Sequence, residues 1–460
     1  MTKKNPQRIL SHLAIVYGIF IGCAVIGMII CPRAFDKFFS IVRLSPSINA
    51  VKDGYYWDVE HYAAMVISDT CSAFYPLWPW LTRNIFHPNT VVTAAYQLKT
   101  LGAGIFLVIL PPLYILFDRL FKSSKLALLI LLLFTLNPTG IQRVLGYTES
   151  FYCAVTLFLI WSLHELQIKP MSRHYLIAAV STVIMSLIRP CSIQLIGSVM
   201  GASLVLVSLK WHNNKQTSFR SIFQQFLPEL KISALISIAT IVGYSIYGWI
   251  CWQMRGDFLA PFHDQANWGR KFGFYPDLLF IRTSMFDMMG LYMPWIILVS
   301  AVAFVVMKDK FNAILNSIPK SPLGNVWLLY PAIFIPFTII RLKLRSKQIE
   351  TEWSTLSEDK LDRQNEVDTL ATNYLFWFST CFAVITCTIV FLCPMDFGFT
   401  TIASLGRHVF AIPFFYISLG YLCIYFNNAK VSRSLYYWLV ISIIATIEQW
   451  IKYGKDQWLS

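Results

Sequence analysis

The chain has 460 residues, of which 56% are hydrophobic, 16% aromatic and only 13% charged, and its formal net charge is +14. Soluble domains carry roughly a quarter charged residues, so with a mean hydropathy of +0.56 the composition excludes an ordinary soluble enzyme and predicts an all-α polytopic integral membrane protein. The positive charge does not call for nucleic acid: Lys3, Lys4 and Arg8 precede the first apolar run, and Arg119, Lys122, Lys125, Lys169, Arg173, Lys210, Lys215 and Arg220 lie in short connections between later runs, the positive-inside pattern.

Apolar runs cover the whole length, and no polar stretch is long enough for a second core, so residues 1–460 form a single transmembrane domain. The first run, residues 9–31, is too long for a signal-peptide core and suits a retained span of about 20 residues. With the N-terminus cytoplasmic, residues 32–89 form the first exoplasmic loop. Further spans are expected near 91–117, at 126–136 (short for a full crossing) and at 150–163. Residues 175–209 are apolar except at Arg189, which Pro190 follows; the stretch exceeds one crossing of a bilayer about 30 Å thick, so two spans meet at Arg189. A span at 232–252 leads to an interfacial loop at 255–280 with Trp268 and Tyr275 as anchors, and another is expected at 288–307. The run 326–340 is expected not to cross, leaving 341–370 as a charged cytoplasmic loop and 394–407 outside. Spans at 371–393, 408–426 and 435–451 bring the expectation to about 11 or 12 spans or half-spans. The ten cysteines show no metal-type spacing and no secreted disulfide framework; most read as small buried apolar residues.

On this topology the ionisable residues converge on one face: Asp58, Glu60 and His61 in the first loop, Glu149 beside Tyr147, Arg189 at a helix junction, His263, Asp264 and Arg270, then Arg407 and His408. Such groups at mid-bilayer would each cost on the order of 2.5 to 3.5 kcal/mol, so their presence at the membrane boundary points to function. Carboxylates, cations and aromatic faces are what sugar transfer from a phosphate-linked lipid needs: a base for the acceptor hydroxyl, charge for the departing phosphate and surfaces for sugar rings. A proton-coupled transporter would hold its carboxylates mid-span between inverted repeats, and no repeat is detectable here. Spacing places His61 on the helical face of Asp58 and turns Glu60 away. Arg189 and Arg407 suit phosphate because a guanidinium stays charged and binds bidentately.

The segment YYWDVEHYA at 55–63 followed by SAFYPLWPWL at 72–81 resembles the first-loop signature of the GPI mannosyltransferase II (PIG-V) family, matched by Trp57, Asp58, Glu60 and His61 and then by Ala73, Phe74, Pro76 and Pro79. NPTGIQRVLGYTESFY is similar to the family's second block through Asn137, Pro138, Tyr147, Thr148, Glu149 and Ser150, with shorter echoes at 188–190, 263–273 and 407–413 in the order of prokaryotic members. Arg143 has no counterpart in the family, Pro190 replaces a more usual Asn or Ser, and 341–370 is more charged than typical. The resemblance implies a GT-C glycosyltransferase that uses a polyprenyl-phosphate or dolichyl-phosphate sugar, usually mannose, and a glycolipid or glycan acceptor, without cofactor or metal. The roles expected are Asp58 as base with His61 and Glu60 beside it, Arg189, Arg407 and Arg270 on the donor phosphate, and Trp57, Tyr147, Glu149 and Trp268 on sugar or acceptor. A related transferase of another lipid-linked sugar and a transporter or flippase are the alternatives. The membrane is expected to be a bacterial plasma membrane, or that of the endoplasmic reticulum if the source is eukaryotic.

Overall fold

The structure is a computed structural model and describes residues 6–39, 58–213, 226–280, 284–307, 370–396, 400–426, 429–457 and 459. The apolar runs become helices. The first two are α1 (Pro6–Ile30) and the short α2 (Pro32–Phe39). The first polar loop contributes α3 (Asp58–Ile67) and α4 (Leu77–Phe86), and a long α5 (Val91–Phe121) follows. Next come α6 (Ser124–Thr135), α7 (Glu149–Ile168), α8 (Ser172–Ile188), α9 (Ser192–Asn213) and α10 (Leu227–Arg255). The chain then forms the single turn α11 (Ala260–His263), α12 (Met285–Met307) and α13 (Tyr374–Leu392). It ends with the short α14 (Leu405–Phe410), α15 (Pro413–Phe426) and α16 (Ala429–Gly454). The named strands form a two-residue antiparallel ladder, β1 (Met395–Asp396) with β2 (Thr400–Thr401).

Among the described residues eight helices are long and apolar enough to cross a membrane, two shorter apolar ones (Ser172–Ile188 and Pro413–Tyr425) accompany them, and α6 with the 3₁₀ turn Pro138–Val144 forms a pair bent by 73°. This is the all-α polytopic architecture expected. The bend has a local cause: Pro138 cannot donate to the ladder of α6, and the Asn137 side chain accepts instead from the Thr139 N–H, starting a new turn. The apolar run 326–340 and the loop 341–370 fall almost wholly outside the described residues. The helices on either side meet at one end of the bundle, where α12 starts and α13 ends: the Gly406 N–H, beside Arg407, donates to Asp287, and the Gly273 N–H, in the loop before α12, donates to the Leu392 carbonyl.

The first polar loop is pinned to that end. Arg83 closes α3 by donating to the Val66 and Met65 carbonyls (2.5 and 2.7 Å) and to Asp69 (2.7 Å). Buried Trp78 donates to the Gly146 carbonyl at 3.0 Å, which joins the two polar blocks of the sequence. Gly146 adopts φ +93°, and a Cβ there would lie 2.9 Å from the Lys99 nitrogen, so only glycine allows this approach. One connection was not anticipated from the cysteine spacing: Cys71 and Cys251 form a disulfide that ties the first loop to the end of α10. The opposite end of the bundle carries exposed Lys122, Lys125, Lys169 and Arg173, with Arg119 of α5 bridged to Glu165 of α7 at 2.5 Å.

Candidate active site

Four helix ends deliver charged side chains to one point. Asp58 opens α3 and Glu149 opens α7, in each case where the exposed N–H groups of a first turn favour an acid. Arg189 ends α8 because Pro190 stops that helix, and Arg407 stands on the six-residue α14. A single oxygen, Glu149 Oε1, accepts from Arg407 Nε at 2.5 Å and from Arg189 Nη1 at 3.2 Å. Arg407 Nη1 reaches on to Asp58 Oδ2 at 2.6 Å, and its guanidinium lies 4.3 Å from the centre of the Tyr147 ring. Arg189 Nη2 is 3.0 Å from His408 Nδ1.

The cluster is closed on its inner side and open at its edge. The Glu149 side chain is 0% exposed and that of Arg407 9%, whereas that of Asp58 is 27% exposed. Glu149 Oε2 is buried and meets no donor among the described residues. Arg270 approaches from the loop before α12, where Arg270 pairs with Met395 in an antiparallel bridge and its Nη1 donates to the Cys393 carbonyl at 3.0 Å. Burial lowers the pKa of Arg270 and Arg407 adds to this, while Asp58 opposes. For Arg407 burial also works against the charge, but Glu149 and Asp58 outweigh it and hold the guanidinium well above its usual range. His408 is pushed well below the ordinary imidazole range, by burial first and then by Arg189, Arg407 and Arg270. The ring is therefore neutral, and since a guanidinium can only donate, Nδ1 is the acceptor and Nε2 carries the proton. Counted by formal charge, two carboxylates against three guanidiniums leave an excess of one positive charge.

Of the residues expected at the site, the structure brings together Asp58, Glu149, Tyr147, Arg189 and Arg407, with Arg270 at the margin. Asp58 pairs with Arg407, not with His61, whose ring is exposed on α3 and stacks on Phe74 at 4.8 Å. The i,i+3 spacing that favoured His61 is local, and the guanidinium 349 positions away offers the carboxylate a charge-assisted hydrogen bond. Glu60 is exposed on the same helix. Trp57 lies outside the described residues, as does the side chain of Trp268. Glu149, expected on sugar or acceptor, instead anchors two guanidiniums. Tyr62, one turn after Asp58 and buried, was not anticipated; burial and then Asp58 push its phenol pKa up. Among the described residues no group of three or more His, Cys, Asp or Glu could hold a metal ion.

Fold and site define a class: a multi-pass helical membrane protein with a carboxylate and guanidinium cluster at one end of its bundle. Comparison with protein-family models, with curated proteins and with solved structures finds no match in any of the three.

Proposed function

We propose that the chain is a glycosyltransferase of the GT-C type that moves a sugar, mannose in the first instance, from a polyprenyl-phosphate or dolichyl-phosphate donor to a hydroxyl of a glycolipid or glycan. The observation that carries this reading is the placement of Asp58, a reachable carboxylate at the rim of a site with excess positive charge. Arg407 occupies Oδ2 and leaves Oδ1 for the acceptor hydroxyl. In the reaction the hydroxyl oxygen bonds to the anomeric carbon as the bond from that carbon to the phosphate oxygen breaks. The bonding pair leaves on the lipid phosphate, the hydroxyl proton passes to Asp58, and the anomeric configuration inverts. The guanidiniums of Arg189, Arg407 and Arg270 offset the negative charge that the phosphate gains.

Two features support an exoplasmic site, in our reading of a bacterial plasma membrane. Exposed lysines and arginines crowd the opposite end of the bundle, as cytoplasmic ends do. The Cys71–Cys251 disulfide lies at the site end, and such bonds persist in oxidising compartments. With the eight free cysteines replaced, single cysteines at Ala266 and Lys271 are expected to react with an impermeant thiol reagent from outside intact cells, and cysteines at Lys125 and Lys169 only after permeabilisation. Labelling of Ala266 and Lys125 from the same side would remove the shared face on which the reading stands.

The direct test is whether the purified protein consumes polyprenyl-phosphate mannose in the presence of a glycolipid acceptor. Turnover of another lipid-linked sugar alone would move the reading to a sister transferase, and movement of lipid without transfer would make the protein a flippase. Arg189→Lys keeps the charge but loses the planar fork, so a loss of about 1 to 3 kcal/mol in transition-state stabilisation is expected, carried mainly by kcat. Initial rates against donor concentration check this, and a change confined to KM would make Arg189 a ground-state lipid ligand.

A further inference from the structure

Arg407 stands on a helix too short to hold its own place. Isolated helices of fewer than about 12 residues are marginal in water, and α14 has six. Its N-cap residue, Ser404, sits at φ +69°, in the left-handed region that non-glycine residues rarely adopt, and its hydroxyl makes no capping bond. The cap comes from another helix: Asp287 Oδ1 of α12 accepts from the Gly406 N–H at 2.9 Å, while its Oδ2 accepts from the Ser284 hydroxyl at 2.8 Å. The approach needs glycine, since a Cβ on Gly406 would lie 2.9 Å from the Phe286 carbonyl oxygen.

The other end of α14 is held in a complementary way. Arg143, fully buried, donates from Nη2 to the Phe410 carbonyl at 2.9 Å and from Nε to the Ala411 carbonyl at 3.2 Å. Its Nη1 donates to the Phe134 carbonyl at 2.7 Å, and its guanidinium lies 3.8 Å from the centre of the Phe134 ring. An acid at the N-terminus and a cation at the C-terminus is the arrangement the helix dipole favours. Neither residue bonds Asp58 or Glu149, yet both grip the backbone that carries Arg407 and His408.

We propose that Asp287 and Arg143 are positioning residues of the site, clamping α14 from its two ends so that Arg407 meets Glu149 and Asp58. The consequence for transfer rests on the glycosyltransferase reading; the clamp itself does not. The test is hydrogen exchange on the full chain in nanodiscs, followed in peptides covering 404–412. Loss of one cap should raise exchange there about five- to thirty-fold in Asp287→Ala and in Arg143→Met. Peptides from α7 and α8 should hold their protection. Asp287→Asn, whose amide oxygen can still accept the Gly406 N–H, should restore the wild-type rate. In the transfer assay Asp287→Ala should lower kcat with donor KM little changed, and Asp287→Asn should recover it. Unchanged exchange in both variants, a rise spread equally over α7 and α8, or an Asn variant as loose as the Ala variant would each overturn the proposal. So would a loosened α14 with wild-type kcat. The two ends are probed independently, so a variant that fails to accumulate at one leaves the other to decide. A wild-type chain without transfer activity would remove the glycosyltransferase reading while the exchange result still judged the clamp.

Discussion

Asp58→Asn is expected to lower turnover by at least about 100-fold, the lower end of what a positioned acid or base contributes, while the protein accumulates and melts as the wild type does. The two halves of this expectation have different origins. The amide cannot take the acceptor proton, so the chemical step loses its base. The architecture survives because Arg407 remains held by Glu149 at 2.5 Å, and the Asp58 bridge lies at the open rim, where an ion pair contributes about 1 kcal/mol or less. Rates at saturating donor and acceptor, with a melting curve of the same preparation, separate the two. Near-wild-type turnover would take Asp58 out of the mechanism.

Glu149→Ala should do the reverse and damage the structure first. One carboxylate oxygen serves two guanidiniums, and the side chain has no exposure to solvent. Its removal leaves Arg189 and Arg407 facing each other at the inner wall of the site, and breaking a buried pair in this way costs about 3 to 5 kcal/mol. The variant Glu149→Leu combined with Arg189→Leu should cost less, because it deletes a cation together with its partner. Denaturant unfolding in a fixed detergent, compared across the three proteins, measures the difference. A loss below about 1 kcal/mol for Glu149→Ala would mean that the carboxylate does not hold the guanidiniums.

The parts of this protein readable from sequence are those whose physics is local. An apolar run of about 20 residues reads as a span from its own composition, and an ionisable residue at its edge stands out, which is why Asp58, Glu149, Arg189 and Arg407 are all visible. Their pairing was not, because contacts across hundreds of residues leave no periodic trace: local spacing offered His61 to Asp58, and the fold supplied Arg407. Arg143 stands out in the sequence only as a residue without a counterpart in the family it resembles, since three carbonyl acceptors have no side-chain signature. Asp287 carries no distinguishing signal at the head of an apolar run, and neither do Cys71 and Cys251 at a separation of 180 residues. The backbone groups that Asp287 and Arg143 serve exist only once α14 has formed.

The same long separations set an order of assembly during synthesis. Arg189 follows Glu149 by 40 residues, whereas Arg407 follows Glu149 by 258 and Asp58 by 349. At about 5 to 20 residues per second, Glu149 acquires its first counter-ion within roughly 2 to 8 s of leaving the ribosome, and Asp58 waits roughly 20 to 70 s for Arg407. The first loop therefore spends most of its translation time as an acid without its cation, and a nascent chain arrested before residue 405 carries Asp58 in that unpaired form. A six-residue helix made late in the chain thus supplies the partner of a carboxylate in the first polar loop.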